Sequence, residues 1–322
     1  MKNQFLERTE LSPRLNLQSY ADSKVEHSLR QLIEGFILSY KLDGMSPLTI
    51  STHLAKLNRF MSYLDQHELP LDVRIITPPM IRAFLGYVRD TYNLSQASVQ
   101  RHLVSLKAFF RWVLDEELAT VNPTDKVKLR IPPKKVTKGL AYEQMQRLYS
   151  ALVDNSLEEA RNKAIVLIFL DCGLRRAELA NLKLADIEQD RGIIRIMGKG
   201  SKERLVRMGL KTRKALWRYL LFRGSNRSLY LWLNDKGERF TASGVRQMLR
   251  RLGNKLGFRL YPHLLRHTYA ISFLRNGANA FEVQYSLGHS TLEMTRRYCE
   301  ALGYEDVFRR HESASPVDNL KC

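Results

Sequence analysis

The chain has 322 residues, 44% hydrophobic and 26% charged, ordinary values for a globular protein with room for two cores. No apolar run reaches the roughly 18 residues of a membrane span, the opening Met-Lys-Asn-Gln-Phe-Leu-Glu is too polar for a secretory signal, and Cys172, Cys299 and Cys322 lack metal-like spacing. With 52 Lys and Arg against 33 Asp and Glu the net charge is +19, which points to a polyanionic partner.

In chain order, residues 1–25 read as an N-terminal extension and residues 26–118 as a helical bundle. Apolar residues recur at helical spacing in Leu29, Leu32, Ile33, Phe36 and Ile37, and again in Leu54, Leu57, Phe60, Met61 and Leu64. Ser46-Pro47 reads as an N-cap followed by proline in the first turn, and Ser95 as the cap of a helix with Val99, Leu103, Leu106, Phe109 and Phe110 inward. Arg101, Lys107 and Arg111 lie off that stripe, either on a DNA-facing surface or on a solvated one. The bundle carries 10 basic and 10 acidic residues, whereas residues 119–322 carry 38 and 20. Nearly all the positive field therefore belongs to the C-terminal two-thirds.

Residues 119–137, rich in proline and lysine and including Lys134 and Lys135, read as a basic interdomain linker. The second domain is expected over 138–311, followed by a polar tail at 312–322. Helical patterns at Glu143 to Leu152 and Ala160 to Leu170 precede a hairpin. In it, Gly192 to Met197 and Glu203 to Val206 flank Gly198-Lys199-Gly200-Ser201. Helical patterns then resume. The expected fold is mainly α: an N-terminal helical bundle plus a mixed α/β domain with a small antiparallel sheet.

Four clusters in the second domain can carry chemistry. In Cys172-Gly173-Leu174-Arg175-Arg176-Ala177-Glu178, Arg175 and Glu178 fall three apart on one helical face, so the carboxylate can brace the guanidinium; a surface ion pair would look the same. At Gly198-Lys199-Gly200 the glycines permit close backbone approach and free Lys199 to point at a ligand, or they make a plain basic turn. In His263-Leu264-Leu265-Arg266-His267, His263 and Arg266 address one point from a helix starting at Pro262, unless His263 is only a cap. Leu287-Gly288-His289-Ser290 is followed nine residues after the His by Tyr298. Two arginines, a lysine and a histidine suit the spread charge of a phosphoryl transition state, and arginine pairs two oxygens at once. There is no acidic cluster of the kind that holds magnesium in two-metal nucleases.

Together these clusters resemble the tyrosine recombinases, especially the Xer and mobile-element integrase branch. The family's T-G-L-R-x-S-E-L reads here C-G-L-R-R-A-E-L; G-K-G-x-K-E-R is intact as Gly198 to Arg204; H-x-x-R-H-T is His263 to Thr268; L-G-H-S with its tyrosine is Leu287 to Tyr298. Cys172, Ala177, Met294 and Arg207 depart from frequent Thr, Ser, Thr and Pro without removing a catalytic group. The resemblance covers the chain beyond residue 25, the bundle matching the family's SAM-like core-binding domain.

The resemblance implies that Tyr298 attacks a DNA phosphate to give a 3′-phosphotyrosyl enzyme and a free 5′-hydroxyl. Arg175 and Arg266 would clamp the non-bridging oxygens. His263 would accept the phenolic proton, Lys199 would protonate the departing oxygen, His289 would bond the phosphate and Glu178 would orient Arg175. Arg101, Lys107, Lys134, Lys135, Lys202 and Arg204 are expected at the DNA. No cofactor or metal is expected. The implied partners are duplex DNA with specific core sites and a homotetramer assembled on two sites through a Holliday junction, with a monomer or weak oligomer off DNA. A second recombinase or accessory DNA-binding protein can share the assembly. The tail beyond Tyr298, with Val307 and Phe308, reads as a helix for packing on a neighbouring subunit or on its own domain. A cytoplasmic, nucleoid-associated enzyme of a mobile element is the main reading. A Xer-type dimer resolvase, a type IB topoisomerase-like enzyme and an inactive DNA-binding protein are the alternatives.

Overall fold

The computed structural model describes residues 28–130, 138–198 and 203–303, together with Asp306, Phe308, His311 and Ser315. The chain divides into two compact units at the Pro133–Lys134 boundary. Among the described residues no helix is long and apolar enough to cross a membrane.

The first unit is a bundle of α1 (Leu29–Leu42), α2 (Pro47–Gln66), α3 (Pro78–Thr91) and α4 (Gln96–Asp115). The serines expected as caps are caps: Ser46 Oγ accepts from the Thr49 N–H and Ser95 Oγ from the Ser98 N–H, each satisfying a free donor of the first turn. Phe36, Phe60, Phe84, Phe109 and Phe110 fill the core from all four helices, with Phe36 and Phe109 edge to face at 5.7 Å. The segment read as a linker from residue 119 is not a free connector over its first half. Asn122 Oδ1 accepts from Thr124 Oγ1 at 2.6 Å and Val127 is buried in the bundle core, because this stretch still holds apolar side chains that the bundle can bury. Residues 131–137, with Lys134 and Lys135, lie outside the described residues.

The second unit opens with α5 (Tyr142–Ser150), α6 (Leu157–Cys172) and α7 (Arg176–Asn181). Next come β1 (Ile187–Glu188), β2 (Ile193–Met197) and β3 (Glu203–Arg207), then α8 (Leu210–Arg223), α9 (Ala242–Leu256), α10 (Pro262–Arg275), α11 (Ala280–Leu287) and α12 (Glu293–Cys299). The sheet is antiparallel in the order β1-β2-β3, with Arg195 opposite Leu205 and Ile196 opposite Arg204. The mainly helical fold with a small antiparallel sheet is the expected one; the two-residue strand β1 is an addition to the expected hairpin.

α6 is apolar on nearly all sides and runs through the middle of the unit, its Ala164, Ile165, Val166, Ile168 and Phe169 fully enclosed. It stops at Gly173, whose φ of 62° is left-handed. A Cβ there would lie 2.3 Å from Tyr269 Cδ1 of α10, so only glycine permits this close approach. The chain then turns directly into α7, with Arg175 as the N-cap.

Candidate active site

The functional side chains come from helices α7, α10 and α12 and the turn after α11. Arg175 caps α7, Arg266 and His267 lie on α10 beyond its first-turn Pro262, His289 follows the C-cap of α11, and Tyr298 lies on α12. The hub is the turn after α11. Arg266 Nη2 donates to the Leu287 carbonyl at 2.8 Å, and Arg175 Nη2 to the next carbonyl, Gly288, at 3.2 Å. Arg266 also donates through Nη1 to the Gly173 carbonyl at 2.5 Å, tying the end of α6 to the same point. Thus the first, third and fourth sequence clusters converge. Lys199 and Lys202, which fall between β2 and β3 in the sequence, lie outside the described residues.

Glu178 braces Arg175 as its spacing suggested. Its carboxylate accepts from Arg175 Nη1 at 2.8 Å and from the Arg175 backbone N–H at 2.7 Å. It also accepts two bonds from Arg204, Nη1 at 3.0 Å and Nη2 at 2.8 Å. Burial by itself raises this carboxyl, but the hydrogen bonds and charges of Arg204 and Arg175 outweigh burial and hold it at about 2. Arg204, expected among the DNA-contacting residues, is only 7% exposed and spends its donors on Glu178 and the Ser286 carbonyl. In this arrangement it is not available to a phosphate. Arg101 and Lys107, by contrast, are exposed on α4.

The nucleophile candidate has an unexpected setting. Tyr298 is 1% exposed, packed with Tyr269, Ile271, Leu274 and Leu287. Its hydroxyl shares a 2.9 Å hydrogen bond with His267 Nδ1, and its ring stacks on His289 with centroids 6.0 Å apart. The imidazole on the phenol is therefore His267; His263 is exposed one helical turn away, its ring 6.4 Å from that of His267. The only sequence signal for His267 was its place in the His263 to Thr268 box. His289 Nδ1 is held by Thr295 Oγ1 at 2.9 Å.

The electrostatics are one-sided. Burial, then nearby positive charges led by Arg297 for His267 and Arg266 for His289, push the two imidazoles down to about 4 and about 3. Burial and the charges of Arg266, Arg176 and Arg175 lower His263 as well. Burial and Arg175 bring Arg266 to about 10, still protonated at neutral pH. His267 and His289 are thus neutral, and among the described residues the cations around them outnumber the carboxylate of Glu178. Such an excess of positive charge favours an anionic ligand. Among the described residues no three His, Cys, Asp or Glu side chains gather as metal ligands do.

Residues 138–303 match the phage integrase family, and residues 33–117 match the N-terminal SAM-like domain of phage integrases. The chain belongs to the phage integrase family of tyrosine recombinases. It is 31% identical over 296 residues to tyrosine recombinase XerC of Leptospira interrogans, spanning 90% of this chain and 94% of the relative. Against tyrosine recombinase XerC of Myxococcus xanthus the figure is 31% over 300 residues, covering 90% and 99%. Two solved structures share the recombinase fold. One is the XerH site-specific recombinase bound to its palindromic difH substrate (TM-score 0.71, 23% identity, 91% of this chain and 85% of that one). The other is the Tn1549 transposon integrase in complex with a circular intermediate DNA (0.70, 19%, 88% and 99%). This protein is accordingly a site-specific recombinase that cuts and rejoins DNA.

Proposed function

We propose that this recombinase cuts one strand of duplex DNA by in-line attack of the Tyr298 hydroxyl on the scissile phosphorus. The new bond joins Tyr298 Oη to phosphorus, and the phosphorus–O5′ bond breaks. The phenolic proton goes to an imidazole: His267 holds the hydroxyl in the arrangement described, and His263 is the acceptor once Tyr298 has turned outward to the phosphate. Lys199 donates a proton to the departing 5′-oxygen, since an alkoxide is a poor leaving group. Arg175 and Arg266 take the non-bridging oxygens with His289 beside them. Attack by a 5′-hydroxyl reverses every step, so the phosphotyrosine conserves the bond energy and neither a metal ion nor ATP enters the chemistry.

The observation that carries this reading is the cluster of Arg175, Arg266 and His289 around the Leu287–Gly288 carbonyls, with the Tyr298 ring stacked on His289. Duplex DNA is the partner. α9 supports that role, with exposed Arg246, Gln247, Arg250 and Asn254 opposite the buried Val245, Met248 and Leu249. On the bundle, Arg101 and Lys56 lie close enough that the Arg101 charge, after burial, lowers the Lys56 ammonium. We assign Arg101, Lys107, Lys134, Lys135 and Lys202 to the DNA as well. Exchange between two sites calls for a homotetramer passing through a Holliday junction, in the cytoplasm on the nucleoid.

Integration or excision of a mobile element is the main biological reading. Xer-type dimer resolution is the second, favoured by the XerC names of relatives that align over 90% of the chain. The test is a nicked duplex carrying the recombinase's own site, recovered by sequencing DNA trapped on the protein in cells. It should give a covalent adduct in EDTA, and Tyr298→Phe should bind but form none. An adduct in the Phe variant, or cleavage that stops when magnesium is chelated, refutes the proposal. Trapped DNA from element ends supports the first biological reading, and DNA from one chromosomal locus the second.

A further inference from the structure

Arg204 occupies an inward position of β3. Along that strand Arg204 and Val206 are buried while Glu203, Leu205 and Arg207 are exposed. A buried guanidinium is costly unless its donors are met, and here they converge on two elements of the site. Its Nη1 and Nη2 straddle the Glu178 carboxylate, and its Nε donates to the Ser286 carbonyl at 2.9 Å. The guanidinium also lies directly against the turn after α11: a Cβ on Gly288 would come within 3.1 Å of Arg204 Cδ and Nη1. The other bonds to that carboxylate come from Arg175, which also donates to the Gly288 carbonyl. One buried side chain thus fixes both supports of Arg175, the carboxylate and the turn.

We infer that Arg204 is a positioning residue for DNA cleavage, one that aims Arg175 at the scissile phosphate by locking Glu178 and the Leu287–Ser290 turn to β3. The inference rests on Arg175 being a phosphate clamp. A buried ion pair that merely held the fold together would have the same distances, so the test must read the aim of Arg175 and not stability.

Arg204→Lys keeps the charge, but an ammonium cannot span both carboxylate oxygens and the Ser286 carbonyl. The full-length variant and its parent are compared on two nicked duplexes, one with an ordinary scissile phosphodiester and one with a neutral methylphosphonate there. On the phosphodiester the rate of adduct formation should fall about 10- to 100-fold, the usual loss when the partner that orients a functional group is removed, with DNA affinity unchanged. The methylphosphonate lacks the negative oxygen that Arg175 neutralises, so variant and parent should react alike on it. Because the ratio between substrates is taken within one protein, any loss of folded fraction cancels. An equal defect on both duplexes, or no defect on the phosphodiester, overturns the inference. Tyr298→Phe run in parallel separates the two failures: an adduct in that variant overturns the reading of the site itself, whatever Arg204→Lys does.

Discussion

Replacing Glu178 by Gln tests how the site is held together. Among the described residues Glu178 is the only carboxylate bonded to the buried Arg204, and its ionised form is favoured enough to bring the carboxyl from 4.5 to about 2. At about 1.4 kcal/mol per pKa unit, that preference is worth roughly 3 kcal/mol. Removing one partner of a buried pair costs about 3–5 kcal/mol, because the survivor keeps its desolvation penalty without its counter-charge. For a unit of this size the melting temperature should fall by about 10 °C. Trp232 is a suitable reporter, being buried and donating its indole N–H to the Leu179 carbonyl one residue from Glu178. Its fluorescence can be followed after Trp112 and Trp217 are changed to Phe. Glu178→Gln combined with Arg204→Met should melt higher than Glu178→Gln alone, since no unpaired charge then remains buried. A single variant that melts like the parent, or a double variant destabilised by the sum of two independent losses, would refute the reasoning.

Gly173→Ala combines a left-handed backbone position with the Tyr269 clash, about 1–2 kcal/mol for the first and 1–3 for the second. The Gly173 carbonyl also anchors Arg266, so we expect adduct formation to fall beyond what the loss of folded protein explains. His267 and His289 are neutral in the fold and bind protons more readily when unfolded. The unfolded state therefore takes up more protons between about pH 4 and 6.5, and stability should fall as pH falls through that window. The urea midpoint measured from pH 7 to pH 4.5 should show this slope, and His267→Gln should flatten it; an unchanged slope would mean that His267 does not titrate as described. DNA affinity should drop steeply with salt, and Arg101→Ala and Arg246→Ala should each reduce the salt slope by about 1 if both meet phosphates. Unaltered slopes would place these residues off the DNA.

Local signals made much of the fold legible. Ser46 and Ser95 announced their helices because a free backbone donor in the first turn needs a side-chain oxygen. The two β-rich runs flanking Gly198-Lys199-Gly200-Ser201 announced the sheet. The convergence of Arg175, Arg266 and His289 was legible only through the family motifs, since no local rule brings Arg175 and Arg266, 91 positions apart, onto adjacent carbonyls. The place of Arg204 was partly readable: period-two alternation puts it on the same face as Val206, but a charged residue on an inner face looks like an outer one until its counter-ion is known. The burial of Tyr298 and its bond to His267 depend on how α12 packs on α10, which spacing alone does not give. The segment from residue 119 misled because prolines and lysines signal a connector, while Val127 is buried by a bundle built earlier in the chain.

The chemistry is tested most directly by mapping the covalent product. The adduct formed on a nicked duplex in EDTA would be digested with trypsin, its DNA trimmed by nuclease, and the nucleotide-bearing peptide sequenced by mass spectrometry. A peptide carrying the nucleotide on Tyr298 through a 3′-phosphate is the predicted product. The same mass on any other residue, or a cut strand with no protein attached, would contradict the account.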